Sequence, residues 1–238
     1  MSLTRYASAA PPAVDDPAFD ALRTGFTAAV SHELRTPLAR ILVLLESAEL
    51  PEADVPALLE QAREEVHNAR DLIDDILFLS ELESGKEVVS LSNTAALPVL
   101  EQVVEAHSAG SARAGIVLRA EGDPALDVPL RPKWLRMIAE NLAENAIRYA
   151  GHGATFTLSI TRDEDATVLA GADDGIGIAE SDLPRLFERF WRADAARATR
   201  GTGLGLALVK RIVLAAGGRV EATGDRGRGL QVRCLFPD

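Results

Sequence analysis

The chain has 238 residues, with 25 Lys and Arg against 36 Asp and Glu, which gives a net charge of −11. This acidity argues against general nucleic-acid binding, which needs a broad excess of Lys and Arg to neutralise phosphates. An apolar share of 47% is ample for a buried core, and the single cysteine, Cys234, excludes an internal disulfide and a multi-cysteine metal site.

Charge divides the chain unevenly. Residues 1–90 have a net charge of −10 and residues 91–238 a net charge of −1, with a polar, turn-rich stretch where the two meet. This asymmetry predicts two modules with different surfaces. We predict a flexible leader over 1–18, a first domain over 19–86 and a second domain over 87–238.

Apolar residues at helical spacing predict a helical hairpin in the first domain. The first helix is expected over about 19–48, and the second follows a turn near Pro51, with Asp54 and Pro56 as its start signal. The apolar stripe of the first helix consists of Phe26, Val30, Leu34, Leu38, Ile41, Leu45 and Ala48. The stripe of the second consists of Leu59, Ala62, Val66, Ala69, Ile73 and Ile76. Two such helices bury little alone, so the hairpin is expected to pair with a second copy into a four-helix bundle.

Periodicity alone would make this module a dimerisation hairpin, but the segment SHELRTPL at 31–38 carries further chemistry. His32 lies about 200° around the helix from its apolar neighbours, so its imidazole should be exposed. Thr36 shares the same face, and Pro37 predicts a kink. An exposed imidazole beside the carboxylate of Glu33 indicates a nucleophile on a movable helix; an ordinary surface histidine is the alternative.

The second domain alternates β-rich runs with helical patterns, which predicts an α/β fold. Strands are predicted at 87–91, 115–120, 154–161, 166–172, 218–223 and 230–236. Helices are predicted at about 94–111, 132–150, 182–190 and 202–216.

Polar side chains line one face of the helix predicted at 132–150. Asn141, Asn145 and Arg148 follow one another at spacings of 4 and 3. Amide oxygens can bind a hard cation, and the nitrogen groups can bind a phosphate. A solvated helix face is the alternative interpretation.

Two glycine-rich loops follow. The first, DDGIGI at 173–178, comes directly after a strand, where a carboxylate and closely approaching backbone could meet a planar ligand. The second, GTGLGL at 201–206, opens a helix whose N–H groups favour a phosphate. Leu206 breaks the dinucleotide pattern GxGxxG, and the sequence has no P-loop. Either loop alone could simply make a turn.

Five segments occur in the order and spacing of a sensor histidine kinase, and the chain resembles that family over roughly residues 19–236. The matching boxes are SHELRTPL at 31–38, NLAENAIRYA at 141–150, DDGIGI at 173–178, LFERFWR at 186–192 and GTGLGLALV at 201–209. The resemblance implies an α+β fold. It consists of a phosphoacceptor hairpin that dimerises into a four-helix bundle, followed by an α/β two-layer sandwich that binds ATP.

The resemblance also implies catalytic roles. His32 would accept the γ-phosphoryl group of ATP, and Glu33 would orient its ring and accept its proton. Thr36 would align water in a phosphatase co-activity. Arg192 would stabilise charge on the transferred group.

Nucleotide and metal contacts are implied in the same way. Asn145 and Asn141 would hold Mg²⁺, Arg148 would touch a phosphate, and Asp173 would accept the adenine amino group. The implied ATP-binding residues are Asn141, Asn145, Arg148, Tyr149, Asp173, Gly175, Gly177, Gly201, Thr202, Gly203, Leu204 and Gly205. The family usually has Asn where this chain has Asp174.

The implied partner is a response regulator, which would receive the phosphoryl group on an aspartate. Its docking candidates on the hairpin are Leu44, Leu77 and Phe78, and core packing is the alternative role for these three residues. A dimeric nucleotide-sensing scaffold without catalysis and a signalling protein dominated by the phosphatase activity are the two alternatives.

The apolar runs are too short for a membrane-spanning helix, which needs roughly 18 residues, and the N-terminus has no signal-peptide core. We therefore expect a cytoplasmic segment without membrane contact. About 18 residues precede the first predicted helix, so this segment could also be the cytoplasmic portion of an inner-membrane receptor.

The remaining histidines, the cysteine and the tryptophans are interpreted as structural or surface residues without a catalytic role. His67, His107 and His152 match no motif and are interpreted as surface or loop histidines. Cys234 is interpreted as a core residue, and packing is the default role for Trp134 and Trp191.

Overall fold

The structure is a computed structural model that describes residues 4–6, 17–83, 92–163, 165–193 and 202–237. The strand predicted at 87–91, Gly201 and the side chain of Phe26 lie outside this description. The chain divides into two compact units. One comprises Ala10–Ser84, and the other comprises Met1–Ala9 together with Gly85–Asp238.

Two long helices form the smaller unit. The helix α1 spans Pro17–Ala48 and α2 spans Val55–Glu83, and they pack against each other as the predicted hairpin. Asp54 caps α2, because its Oδ1 accepts the Ala57 N–H at 3.2 Å. The helix α1 continues through Pro37.

The hairpin buries a narrower seam than the predicted stripes. The buried side chains of α2 are Ala62, Glu65, Leu72, Phe78, Leu79 and Leu82. Leu59, Val66 and Ile73 belong to the predicted stripe but are exposed, and so are Leu38 and Leu45 of α1. A single partner helix covers only one side of its neighbour, so the outer half of each stripe remains uncovered.

A six-stranded sheet is the centre of the larger unit. Its strands span Thr4–Tyr6 (β1), Val117–Gly122 (β3), Thr155–Asp163 (β5), Ala166–Asp173 (β6), Arg219–Gly224 (β7) and Leu230–Pro237 (β8). They lie in the order β1-β7-β8-β6-β5-β3. The pair β3 and β5 is parallel, and the other pairs are antiparallel. A separate short ladder joins Thr94–Ala95 (β2) to Asp127–Val128 (β4).

Helices form the second layer. They span Ala96–Ala106 (α3), Ser108–Ala114 (α4), Pro132–Tyr149 (α5) and Gly205–Ala215 (α6), with α5 in contact with both α3 and α6. Fully buried side chains between the layers include Leu100, Leu135, Ile138, Leu158, Ile160, Leu169, Leu208 and Phe236. Cys234 is also buried, and burial raises the pKa of its thiol to about 12. The predicted α+β class is therefore confirmed.

Four predicted elements differ from the structure. Thr4–Tyr6 lie in the predicted leader but form β1 at the edge of the sheet. The helix predicted at 94–111 breaks at His107 into α3 and α4. The helix predicted at 182–190 is wrong.

Only a short 3-10 helix spans Glu180–Arg185, because Pro184 has no N–H and restricts the backbone before it. The helix predicted at 202–216 begins only at Gly205, because the φ angle of Gly203 is 69°. Across the described residues, no helix combines the length and apolarity that a membrane span needs.

Candidate functional site

The segment SHELRTPL at 31–38 lies in α1, with His32 and Thr36 exposed. The side chain of His32 is 77% exposed, as the helical spacing predicted. Its Nδ1 lies 3.9 Å from Glu33 Oε1, and the Thr36 hydroxyl donates to the His32 carbonyl oxygen at 3.3 Å. One turn of helix therefore brings together an accessible imidazole, a carboxylate that could take its proton, and a hydroxyl.

A small cavity lies between α5 and the sheet in the other unit. It is lined by Leu142, Asn145, Ala146, Phe156, Gly171, Asp173, Leu230 and Val232. Asn145 and Asp173 were predicted, and they supply the polar groups of a lining that is otherwise apolar. A Cβ at Gly171 would lie 2.8 Å from the Phe156 ring, so the wall is closely packed there. The cavity is therefore apolar apart from one carboxylate and one amide, and its free volume of about 10 Å³ holds about one water molecule.

Asp173 is held at the end of β6 by backbone donors. Its Oδ1 accepts the Gly175 N–H at 2.9 Å. Burial raises the pKa of Asp173, the N–H groups of Gly175 and Leu230 oppose that shift, and the neighbouring carboxylate of Asp174 adds to it. The carboxylate is thus fixed in place and only half in contact with water, which makes it a directional acceptor.

The first glycine-rich loop passes close to other backbone segments. A Cβ at Gly175 would lie 2.0 Å from the Ala150 carbonyl oxygen, and one at Gly177 would lie 1.9 Å from that of Asp225. Asp174 Oδ1 accepts the Thr155 N–H at 2.6 Å. An asparagine, the residue usual in the family, could make the same contact through its amide oxygen, so this departure preserves the loop.

The second glycine-rich loop places the start of α6 close to Asn141 of α5. A Cβ at Gly205 would lie 2.4 Å from Asn141 Oδ1, whereas Asn141 Nδ2 donates to the Met137 carbonyl at 2.8 Å. Thr202 Oγ1 accepts the Leu204 N–H at 3.3 Å. The amide oxygen of Asn141 is therefore directed at the start of α6, where free N–H groups favour an anion.

The loop is also tied to the segment before it. Phe190 donates its N–H to the Gly203 carbonyl at 3.0 Å and adopts a φ of 59°, which is unusual for a side chain of this size. Trp191 follows, with the Arg185 guanidinium 5.5 Å from its ring centroid. These contacts fix the chain next to Arg192, which is half-buried.

The remaining predicted residues of α5 lie at its C-terminal end. Tyr149 is half-buried. The guanidinium of Arg148 donates to Glu144 Oε2 at 2.9 Å. Within the described residues, no group of three or more His, Cys, Asp and Glu side chains could hold a metal.

Several cavity residues escaped sequence analysis. Leu142 and Ala146 lie four residues apart on either side of Asn145, and this helical spacing of apolar residues is visible in the sequence. Leu230 and Val232 could not have been found, because β8 joins the site only through its pairing with β6.

Comparison with known proteins matches both units to described families. Residues 22–85 match the His Kinase A (phospho-acceptor) domain. Residues 131–238 match the family described as Histidine kinase-, DNA gyrase B-, and HSP90-like ATPase.

Individual relatives agree. The sensor-like histidine kinase SenX3 of Mycolicibacterium smegmatis is 32% identical over 225 residues, which are 92% of this chain and 58% of SenX3. Full-length ShkA in complex with AMPPNP is 28% identical, with a TM-score of 0.67 over 89% of this chain and 46% of ShkA. ThkA in complex with the response regulator protein TrrA shares the fold at 19% identity, with a TM-score of 0.69 over 90% of this chain and 61% of that one. The chain spans about half the length of such relatives.

Proposed function

We propose that this chain, which belongs to the sensor histidine kinases, transfers the γ-phosphoryl group of ATP to His32. The phosphoryl group would then pass from His32 to an aspartate of a response regulator. One observation carries this proposal. The same chain presents an exposed histidine beside a carboxylate and, in its other unit, a closely packed apolar cavity with Asp173 at its wall.

ATP supplies the transferable group when bound. A nitrogen of His32 would attack the γ-phosphorus, the bond from that phosphorus to the bridging oxygen of ADP would break, and Glu33 would take the ring proton. Asp173 would accept the adenine N–H. The amide oxygens of Asn145 and Asn141 would hold Mg²⁺, since oxygen is the ligand that this ion prefers.

Two cationic side chains would complete the site. Arg148 would contact a phosphate, and Arg192 would offset the charge on the phosphoryl group in transit. The AMPPNP complex of ShkA supports nucleotide binding by a related chain.

Onward transfer is supported by the chemistry of the product. Phosphohistidine is a high-energy phosphoramidate, which favours transfer to a carboxylate, and a chain of the same fold has been solved with a response regulator. Leu77 is exposed and Leu44 is half-buried, so both could contact such a partner. Phe78 is buried, which removes it from the predicted docking set. The two proposed substrates, ATP and a response regulator, are cytoplasmic, and this supports a cytoplasmic location for the segment.

The experiment that tests the function is transfer of label from γ-labelled ATP. With Mg²⁺ present, we expect label on the chain that is lost in acid and stable in alkali, because the phosphorus–nitrogen bond is acid-labile. Label should then move to a response regulator added afterwards. Nucleotide binding without any transfer would instead support the scaffold alternative.

The uncovered half of the hairpin stripes supports a homodimer. Ile73 is 43% exposed in one protomer although it lies in the apolar stripe of α2. Ile73→Glu would place two charges in the seam of a four-helix bundle, so we expect the dimer to dissociate on the order of a hundredfold more readily. Sedimentation analysis would measure this, with circular dichroism to confirm that the helices persist.

The control for this change is Asn68→Glu, an added charge at an exposed polar position of the same helix. It should leave the dimer intact. Equal dissociation constants for the two variants would contradict an interface along this stripe.

A further inference from the structure

His107 was predicted to be a surface or loop histidine, and it lies at a turn between helices with its side chain largely covered. It lies where α3 ends and α4 begins, with its side chain only 19% exposed. Its Nδ1 lies 2.9 Å from the Val103 carbonyl oxygen, and its Nε2 lies 3.9 Å from Glu144 Oε1 on α5. Nδ1 is therefore within hydrogen-bond distance of a carbonyl oxygen, and Nε2 is within ion-pair distance of a carboxylate, so the protonated ring suits both contacts.

Glu144 links this histidine to the candidate phosphate site. Its second oxygen, Oε2, accepts from Arg148 Nη2 at 2.9 Å. The two cations thus share one carboxylate, and we call these three residues the His107 cluster. Its formal charge is +1 when the imidazole is protonated and zero when it is neutral.

We infer that His107 and Glu144 are positioning residues for Arg148: the protonated imidazole offsets the Glu144 carboxylate and leaves the charge of Arg148 available to the nucleotide phosphates. The inference rests on the proposed function, because it assumes that Arg148 contacts a phosphate. It goes beyond that function because it makes nucleotide binding depend on His107, which lies outside every sequence motif.

The charged surroundings of His107 support the direction of the effect. The contact with Glu144 raises the pKa of His107 above 6.5, burial opposes it, and the Val103 carbonyl and the charges of Glu144 and Glu140 add to it. The same contact lowers the pKa of Glu144. Burial raises the pKa of Glu140, and Arg136, 3.9 Å away, opposes that shift.

These charges determine the direction of the pH dependence of nucleotide affinity. Below the pKa of His107 the cluster carries a net charge of +1, and above that pKa its net charge is zero. Nucleotide affinity is therefore expected to fall as the pH rises through that pKa, because phosphates bind more weakly when the positive charge is lost.

The test is calorimetric binding of AMPPNP with Mg²⁺ to the whole chain at about pH 6 and about pH 8, which span the ordinary histidine range. We expect the affinity of the unmodified protein to fall about threefold more over this range than that of His107→Gln. Any titration of the nucleotide is common to both proteins and cancels in this comparison.

Glu144→Gln separates charge from damage to the fold. Without the carboxylate, Arg148 has no ion pair with residue 144 and the cluster still carries +1 at about pH 8. This variant is therefore expected to bind at about pH 8 at least as tightly as the unmodified protein does at about pH 6. A variant that merely disturbed the helices would bind more weakly instead.

The matched control is His67→Gln. His67 Nδ1 also lies near the carbonyl oxygen of the residue four positions earlier, 2.8 Å from that of Arg63. No carboxylate of the described residues forms an ion pair with it, so its pH profile should match that of the unmodified protein.

Identical pH profiles for the unmodified protein and His107→Gln would overturn the inference, as would weaker binding by Glu144→Gln. Absence of AMPPNP binding at both pH values would overturn the proposed function itself. Binding with the wrong pH dependence would overturn only the role of His107.

Discussion

Replacing His32 with glutamine is expected to reduce the transfer of label from γ-labelled ATP to background, a loss of about a hundredfold or more. A neutral imidazole nitrogen has a lone pair available for attack on phosphorus. The lone pair of a glutamine amide nitrogen is delocalised into its carbonyl, so the variant has the shape and polarity of the original but no nucleophile.

The structure indicates that this substitution removes the nucleophile without disturbing the fold. The His32 side chain is 77% exposed, and its carbonyl, rather than its ring, accepts the Thr36 hydroxyl. The hairpin should therefore keep its stability and the nucleotide cavity its affinity, both of which melting and AMPPNP binding can check. Loss of label with binding intact assigns the defect to the chemical step.

His67→Gln is the control here as well, because it removes an exposed imidazole from the same hairpin. It should keep its label. Label that persisted in His32→Gln, or that survived acid, would show that another residue accepts the phosphoryl group.

The sequence predicted the larger elements well, because their signals are local. Apolar residues at helical spacing and the start signal at Asp54 predicted the hairpin to within a few residues, and the β-rich run at 154–161 predicted β5. The helix predictions that were wrong concerned segments whose course is changed by a single residue. Pro184 turned a predicted helix into a short 3-10 segment, and His107 interrupted another helix.

Burial on the hairpin was mispredicted for a different reason. Periodicity shows which side chains are apolar, but it does not show which neighbour covers them. Leu59, Val66 and Ile73 repeat every seven residues and still lie on the outside of the two-helix unit. Such a pattern is typical of helices that pack against more than one neighbour, and the hairpin supplies one neighbour for each helix.

The candidate site divides in the same way. Motifs found Asn145, Asp173 and the glycines, because polar groups and glycines at fixed spacing are unusual. The apolar wall from β8 and the contact between His107 and Glu144 arise from residues distant in sequence. Only topology brings them together, so no spacing rule could have found them.

Asp173→Asn is expected to weaken nucleotide binding by about thirty- to a hundredfold, on the order of 2–3 kcal/mol. The carboxylate has two acceptor oxygens and receives N–H groups from Gly175 and Leu230. An asparagine offers one acceptor and one donor group. Whichever way its amide turns, an NH₂ faces either a backbone N–H or the amino group of the adenine, and a buried donor is left unpaired.

The matched control is the neighbouring Asp174→Asn. Its amide oxygen can still accept the Thr155 N–H that Asp174 accepts at 2.6 Å, so the loop should persist and binding should change by less than about threefold. Removing that like charge should also lower the pKa of Asp173, because Asp174 helps to raise it.

The pH profile distinguishes this role from a purely structural one. Protonation of Asp173 removes an acceptor, and its pKa is raised above 3.8, so nucleotide affinity should decline as the pH falls toward that pKa. Asp173→Asn should lose this acid limb. Asp174→Asn should keep it but shift it to lower pH. If both variants bound AMPPNP with the same affinity, the two aspartates would be equivalent and Asp173 could not be the adenine acceptor.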